Sequence, residues 1–229
     1  YEYDGFGNLS ALIYPDGSRV SYAYDILDRL TEVTDRQGGI TSYAYDPDGL
    51  LLEVKRPNET KTVLTYDGAG RAETIQNLDK GGRELSFYRY AYDGSGFVTR
   101  EEVRQKREGR TEEFTNAYAY DARGQLVFVS TEKEGKTSEI RYAYDQAGNR
   151  ITVEKNEDTV RSYLEEYAYD GAGRLKSRRV TGNREHPSRN GTTSYIYDKN
   201  GNLIREIGPE EQITEYAYDV ENDRPTTAE

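Results

Sequence analysis

The sequence has 229 residues, of which 34% are apolar, and its 31 Lys and Arg face 42 Asp and Glu, for a net charge of −11. An acidic balance disfavours nucleic acid and anionic membranes as partners, and no segment approaches the about 20 apolar residues that a membrane span needs. The absence of Cys excludes disulfides, thiolate metal ligands and Cys nucleophiles.

Tyrosine dominates the aromatic residues, with 22 Tyr against 5 Phe and no Trp, and its placement is periodic. A Tyr-Asp pair occurs ten times, at steps of 21 to 28 residues, and nine of the ten pairs have another Tyr two residues earlier. Because residues two apart in a strand share a face, each Tyr-x-Tyr predicts a strand with both rings on one face. The pairs begin at Tyr3, Tyr24, Tyr45, Tyr66, Tyr92, Tyr120, Tyr144, Tyr169, Tyr197 and Tyr218.

A glycine follows three residues after the Asp in eight repeats, with Asp28 and Asn222 as the departures. Asp at the first and Gly at the fourth position is typical of a type I turn, and Asp and Asn also tolerate a left-handed backbone. An apolar residue two positions later begins a second strand; Arg150 breaks this pattern, and Ile151 is expected to take its place. Apolar residues three apart, such as Leu30 and Val33, predict a β-bulge in this strand.

A second turn signal, such as Asp16-Gly17, precedes each return to Tyr-x-Tyr, so one repeat is a β-hairpin. The sequence therefore predicts an all-β fold of tandem antiparallel hairpins, with a ten-unit array over residues 1–219 and a short polar tail over residues 220–229. The charged runs 100–113 and 176–189 are predicted to be longer hairpins rather than helical arms. The absence of an initial Met indicates an excised segment of a longer protein.

The repeat residues themselves are the candidate functional residues, with a structural role: tyrosines pack the wall, aspartates form turns and glycines permit them. They are Tyr22, Tyr24, Asp25, Tyr43, Tyr45, Asp46, Gly49, Tyr118, Tyr120, Asp121, Gly124, Tyr142, Tyr144, Asp145, Gly148, Tyr167, Tyr169, Asp170, Gly173, Tyr195, Tyr197, Asp198 and Gly201. Cross-strand contacts of Tyr with aliphatic residues are worth about 0.2–1 kcal/mol each, which adds up over ten repeats.

No catalytic, cofactor or metal site is predicted. The single histidine, His186, lies beside Pro187 in a turn region, and zinc would lack both Cys and a second His. A glycosidase-like carboxylate pair and calcium between Asp turns stay open, but the aspartates already have a turn role. The basic group of Lys176, Arg178, Arg179, Arg184 and Arg189 is either an anion site or a solvated hairpin.

The Tyr-Asp pairs, the Gly three residues on and the Leu two after that resemble the YD repeats of bacterial Rhs proteins, of the C component of insecticidal toxin complexes and of teneurins. The resemblance extends from Tyr1 to about Asp219. It implies a β-sheet that spirals into a hollow shell, which in the bacterial members encloses a toxin domain. It also implies a secreted or cell-surface bacterial location.

The predicted size limits this role. About 20 strands at roughly 4.8 Å each make a sheet about 96 Å wide, which closes to a ring only roughly 30 Å across. The chain is therefore expected to be an arc or partial turn of a larger shell, whose partners are the rest of the parent polypeptide and an enclosed domain. Two alternatives remain: self-association through sheet edges, and a carbohydrate-binding adhesion module that uses the Tyr rings.

Overall fold

The computed structural model describes residues 1–158, 160–183, 186–218 and 225–228, which form two compact units, Tyr1–Thr115 and Asn116–Glu229. Consecutive strands within each unit pair antiparallel, so the predicted all-β fold of tandem hairpins is confirmed. Unit 1 contains β1 (Glu2–Tyr3), β2 (Leu9–Ile13), β3 (Arg19–Tyr24), β4 (Leu30–Thr34), β5 (Ile40–Tyr45), β6 (Leu51–Lys55), β7 (Lys61–Tyr66), β8 (Ala72–Leu78), β9 (Glu84–Tyr92) and β10 (Val98–Arg107).

The boundary between the units falls within β11 (Arg110–Tyr120). Unit 2 continues with β12 (Leu126–Lys133), β13 (Lys136–Tyr144), β14 (Arg150–Glu157), β15 (Val160–Tyr169), β16 (Leu175–Thr181), β17 (Gly191–Tyr197), β18 (Leu203–Ile207), β19 (Ile213–Tyr218) and β20 (Pro225–Ala228). β20 pairs with β19. Residues 220–224 and 229 of the expected tail, and the Asn222 departure, lie outside the described residues, so the division into array and tail stays a prediction.

In the described repeats, the turn after the Tyr-Asp pair has a hydrogen bond between its first and fourth residues and is closed by a residue with a left-handed backbone. In the third repeat the Gly49 amide donates to the Asp46 carbonyl at 3.1 Å, and the Asp46 amide donates to the Leu50 carbonyl at 2.9 Å. Gly49 has a φ of +92°, which glycine adopts without a steric penalty. Asp28 holds the same position with a φ of +58°, as predicted for a residue that tolerates this conformation.

The predicted bulge in the second strand of the repeat is confirmed. Tyr24 pairs with Leu30, Ala23 with Glu32 and Tyr22 with Val33, so one residue of β4, Thr31, has no partner. The extra residue shifts the alternation of side chains along β4 by one position. Leu30 and Val33 therefore both lie opposite tyrosines, although they are three residues apart.

The expectation for Arg150 and Ile151 is wrong. Arg150 pairs with Tyr144 and Thr152 with Ala143, so Arg150 keeps the first position of its strand and Ile151 is the bulged residue. The turn that begins at Asp145 sets the register of the hairpin. This register places residue 150 opposite Tyr144 even though the position is apolar in other repeats.

Of the two charged runs, the first is a long hairpin as predicted: β10 enters β11 through Glu108 and Gly109, both at positive φ. The second is also a hairpin, since β16 pairs antiparallel with β17, but β16 ends at Thr181 and a 3₁₀ turn, Pro187–Arg189, precedes β17. Asn190 Nδ2 donates to the Asn183 carbonyl, and the Asn183 amide donates to Asn190 Oδ1, which closes this loop across its base.

The sheet has almost no deep core. Among the described residues the buried apolar side chains are Ala11, Val103, Val153 and Val180, while the repeat tyrosines are half-buried except for Tyr1 and Tyr3 of the first repeat, which are exposed. Stability must therefore come from contacts repeated along the array rather than from a central core.

Candidate functional site at the contacts between repeats

In the described turns, the aspartate that follows the Tyr pair binds the backbone of its own turn. Oδ1 of Asp67 accepts the amides of Ala69 and Arg71 at 2.9 and 3.0 Å, and Oδ2 accepts Arg71 Nε at 2.8 Å. The Arg71 side chain, followed by its backbone amide, holds the pKa of Asp67 below its ordinary value. Asp170 has the same arrangement with Arg174, while Asn149 and Asn202 replace the arginine beside Asp145 and Asp198.

The second tyrosine of a repeat hydrogen-bonds the preceding repeat. Its Oη donates to the backbone carbonyl of the residue that begins the second strand of that repeat, 15 to 22 residues earlier. We call this contact the tyrosine clasp. It joins Tyr24 to Leu9 (3.1 Å), Tyr45 to Leu30 (2.8 Å), Tyr66 to Leu51 (2.7 Å), Tyr92 to Ala72 (2.7 Å), Tyr144 to Leu126 (2.8 Å), Tyr169 to Arg150 (2.9 Å) and Tyr197 to Leu175 (2.9 Å).

Burial raises the pKa of tyrosines in these contacts. It raises the pKa of Tyr66 and of Tyr197, because the ionised phenolate is poorly solvated beside the sheet. The charge of Asp46 raises the pKa of Tyr66 further. The neutral hydroxyl that the clasp requires is thus the form that the folded state favours.

Three arginines that bind the aspartate of their own turn also link it to the next turn, a contact that sequence reasoning missed. Besides binding Asp67, Arg71 donates from Nη1 to the Asp93 carbonyl of the next turn at 3.0 Å, and its guanidinium lies 4.5 Å from the centre of the Tyr92 ring. Arg29 makes the same contacts with Asp46 and Tyr45, and Arg174 with Asp198 and Tyr197. We call this the arginine clasp; its sequence signal is an Arg four residues after the Asp.

The first tyrosine of each pair lies across from the second strand of its own hairpin. Tyr22, Tyr43 and Tyr142 face Val33, Val54 and Val153, whereas Tyr167 and Tyr195 face Arg178 and Glu206. Tyr118 and Tyr120 lie in β11, directly before the turn that Asp121 begins. Positive φ angles occur at Gly49, Gly124, Gly148, Gly173 and Gly201.

A charged cluster replaces the aliphatic packing in part of unit 2. Arg178 binds both carboxylate oxygens of Glu165, and Tyr167 Oη donates to Glu165 Oε2. Burial acts to raise the pKa of Glu165, but the hydrogen bonds from Arg178 and Tyr167 outweigh it and hold the pKa below its usual value. Arg150 lies 5.1 Å from the centre of the Tyr167 ring. Within the cluster, Glu165 and Arg178 neutralise each other.

The other candidate groups do not assemble into a site. His186 is exposed, and its amide donates to Asn183 Oδ1. Within the described ranges no three His, Cys, Asp or Glu residues come together in a way that could hold a metal ion. Arg178 points to the tyrosine face while the neighbouring Arg179 is exposed, so the basic group is not one surface; Arg184 lies outside the described residues. No helix among the described residues is long and apolar enough to cross a membrane.

The tyrosine clasp, the aspartate turn and the bulged partner strand define a repeat protein of tandem β-hairpins. The teneurin YD-shell family model matches residues 1–164, and the chain belongs to this family. The probable deoxyribonuclease RhsB of Dickeya dadantii (strain 3937) is 29% identical over 188 residues, which cover 76% of this chain and 12% of that protein.

Solved structures agree on the fold. The crystal structure of TcdB2-TccC3 without its hypervariable C-terminal region has a TM-score of 0.55 and 18% identity, with 96% of this chain and 13% of that chain covered. The TcdB2-TccC3-TEV crystal structure has a TM-score of 0.50 and 19% identity, with 93% and 13% covered. The resemblance to Rhs and YD-repeat proteins is thus confirmed, and the chain is a structural shell module.

Proposed function

We propose that the chain is a non-catalytic part of the shell wall of a larger secreted bacterial protein, and that this wall encloses or presents a toxin or another C-terminal domain. The tyrosine clasp carries the proposal, because it recurs in both units and ties seven of the described repeats to the one before. A wall that is linked in this way extends by the addition of repeats and needs no thick core.

The chain covers only a small share of the RhsB and TcdB2-TccC3 relatives, which supports a larger parent polypeptide. The chain spans 12% of the RhsB relative and 13% of the crystallised TcdB2-TccC3 chain. The partners in this proposal are further repeats of the same polypeptide and the domain that they surround.

The use of the side chains supports a structural rather than an enzymatic role. A general acid or base needs a proton-transferring group within reach of substrate. Here the carboxylates of turn residues such as Asp67 and Asp170 are occupied by the amides and arginines of their own turns.

The same reasoning favours wall packing over glycan binding. A ring that stacks on a sugar needs an open face, and its hydroxyl commonly bonds the ligand. Tyr45, Tyr92 and Tyr197 instead have an arginine over the ring and a backbone carbonyl at the hydroxyl. Tyrosine fluorescence during titration with a broad panel of sugars is expected to stay constant.

Protease protection in the parent polypeptide tests the shell proposal. We expect the C-terminal domain to resist digestion in the wild type and to become cleavable when Tyr45→Ala and Tyr66→Ala remove two adjacent clasps. The control is Glu132→Ala, a position on β12 whose side chain the clasps do not use, which should retain protection. Equal digestion of the C-terminal domain in the wild type and in the double variant would contradict enclosure.

A further inference from the structure

The turns at one end of the hairpins carry apolar side chains that the sheet does not use. Ile26 is 99% exposed and Leu27 is 61% exposed in the second repeat, and Phe6 is 89% exposed in the neighbouring turn. Asn8 Nδ2 donates to Asp28 Oδ1 at 2.8 Å, which holds these two turns side by side. We call the surface of Phe6, Ile26 and Leu27, together with the groove described below, the acidic turn edge.

Turn geometry does not require these side chains. The two central positions of a type I turn accept most residues, and the later described repeats place Gly, Ala, Pro or polar residues there. These pairs are Pro47-Asp48, Gly68-Ala69, Gly94-Ser95, Ala122-Arg123, Gln146-Ala147, Gly171-Ala172 and Lys199-Asn200. Ile26 is exposed even though the repeats on both sides of it are in place, so neighbouring repeats do not cover it.

A groove of about 590 Å³ is lined by repeats three and four. Its first turn adjoins the turn of Ile26, because Arg29 Nη1 donates to the Asp46 carbonyl at 2.8 Å. Leu50, Leu52 and Leu64 contribute to its apolar part, and Asp46, Asp48 and Asp67 are its carboxylates. Arg71 neutralises Asp67, whereas none of the ion pairs found among the described residues includes Asp46 or Asp48.

The surrounding sequence reinforces the negative charge. The first 50 residues contain nine acidic and three basic residues, against 33 and 28 in the other 179. Exposed apolar groups within a field of one sign favour a partner that offers apolar side chains and the opposite charge.

We propose that the acidic turn edge docks a segment of another protein that combines apolar side chains with Lys or Arg. The apolar side chains cover Ile26 and Leu27 and enter the groove at Leu50 and Leu52. The cations lie opposite Asp46 and Asp48. Part of the affinity is therefore electrostatic and falls with added salt.

The probe is a short synthetic peptide of alternating Leu and Lys. It is titrated into the folded chain, whose Ile methyl groups are isotope-labelled and observed by NMR. We expect it to shift the Ile26 methyl signals. The Ile26→Ser/Leu27→Ser double variant should weaken binding about tenfold, and Asp48→Asn should weaken it about threefold and lessen its salt dependence. Ile213→Ser is the matched control, because Ile213 is also more than half exposed but lies in β19.

Four results would overturn the proposal. A Leu-Glu peptide that binds as well would remove the charge argument, and a Ser-Lys peptide that binds as well would remove the apolar one. Equal weakening by Ile213→Ser would indicate nonspecific adhesion. Concentration-dependent dimers that the Ile26→Ser/Leu27→Ser variant abolishes would identify a second copy of this chain as the occupant. Circular dichroism of each variant verifies that the sheet is intact.

Discussion

The hydroxyl of Tyr144 donates a hydrogen bond to the carbonyl of Leu126 at 2.8 Å, across 18 residues of sequence and from one repeat to the one before it. Leu126 begins β12 and Tyr144 ends β13. The bond thus connects the start of one strand with the end of the next. A sheet without a thick core depends on many such links.

Tyr144→Phe separates the hydrogen bond from the packing of the ring. We expect it to lower the free energy of unfolding by about 1 kcal/mol, since it removes one hydrogen bond and leaves a half-buried carbonyl unpaired. Tyr144→Ala should cost about 2–3 kcal/mol, because it also removes the ring. Urea unfolding followed by circular dichroism measures both, with Glu132→Ala, which should stay within about 0.5 kcal/mol of wild type, as the control. Equal midpoints for Tyr144→Ala and Glu132→Ala would refute the clasp as a stabilising contact.

Arg71 and Arg83 form a matched pair for testing the arginine clasp. Both bind an aspartate four residues earlier, but Arg71 also contacts the Asp93 carbonyl and the Tyr92 ring in the next repeat. Arg83 is 80% exposed. We expect Arg71→Ala to lower the unfolding free energy by about 1–2 kcal/mol and Arg83→Ala by less than about 0.5 kcal/mol. If thermal and urea unfolding found equal losses, the contact with the next repeat would contribute nothing.

Gly191 is predicted to tolerate no side chain. Its φ is +118°, and a Cβ there would lie 2.6 Å from Cβ of Pro209 in the neighbouring turn. Gly171 is the control, because its φ is not positive and a Cβ added there would have no atom within 4 Å. We expect Gly191→Ala to destabilise unit 2 by more than about 2 kcal/mol. Gly171→Ala should be neutral or stabilising by up to about 1 kcal/mol. Similar melting temperatures for the two variants would be incompatible with this close contact.

The hairpins could be predicted because their signals are local. Tyr-x-Tyr-Asp followed by Gly specifies a strand and a turn within about seven residues, and the three-residue spacing of Leu30 and Val33 revealed the bulge. Even the unusual Asp28 followed from the preference of Asp for a left-handed backbone.

The tyrosine clasps could not be predicted, because their partners are set by register rather than by sequence proximity. A hydroxyl bond from Tyr197 to Leu175 spans 22 residues and ends on a backbone atom, which leaves no trace in residue type. The 3₁₀ turn at Pro187–Arg189 likewise depends on the pairing of Asn183 with Asn190 across the loop. Arg150 occupies an apolar position for the same reason, since the turn register placed it there.

Acid is expected to destabilise the sheet through its turns. Hydrogen bonds within the turn hold the pKa of Asp67 and of Asp198 below the ordinary value of 3.8. Because the pKa is lower in the folded than in the unfolded state, the carboxylates stabilise the fold above pH 3.8, and this contribution is lost as the pH falls through the folded-state pKa. The urea midpoint should therefore decline as the pH falls below about 4. Asp67→Asn should be less stable at neutral pH, because it loses the ion pair with Arg71, and should lose less stability on acidification than the wild type. Parallel pH profiles for the two proteins would rule out this carboxylate as a source of acid sensitivity.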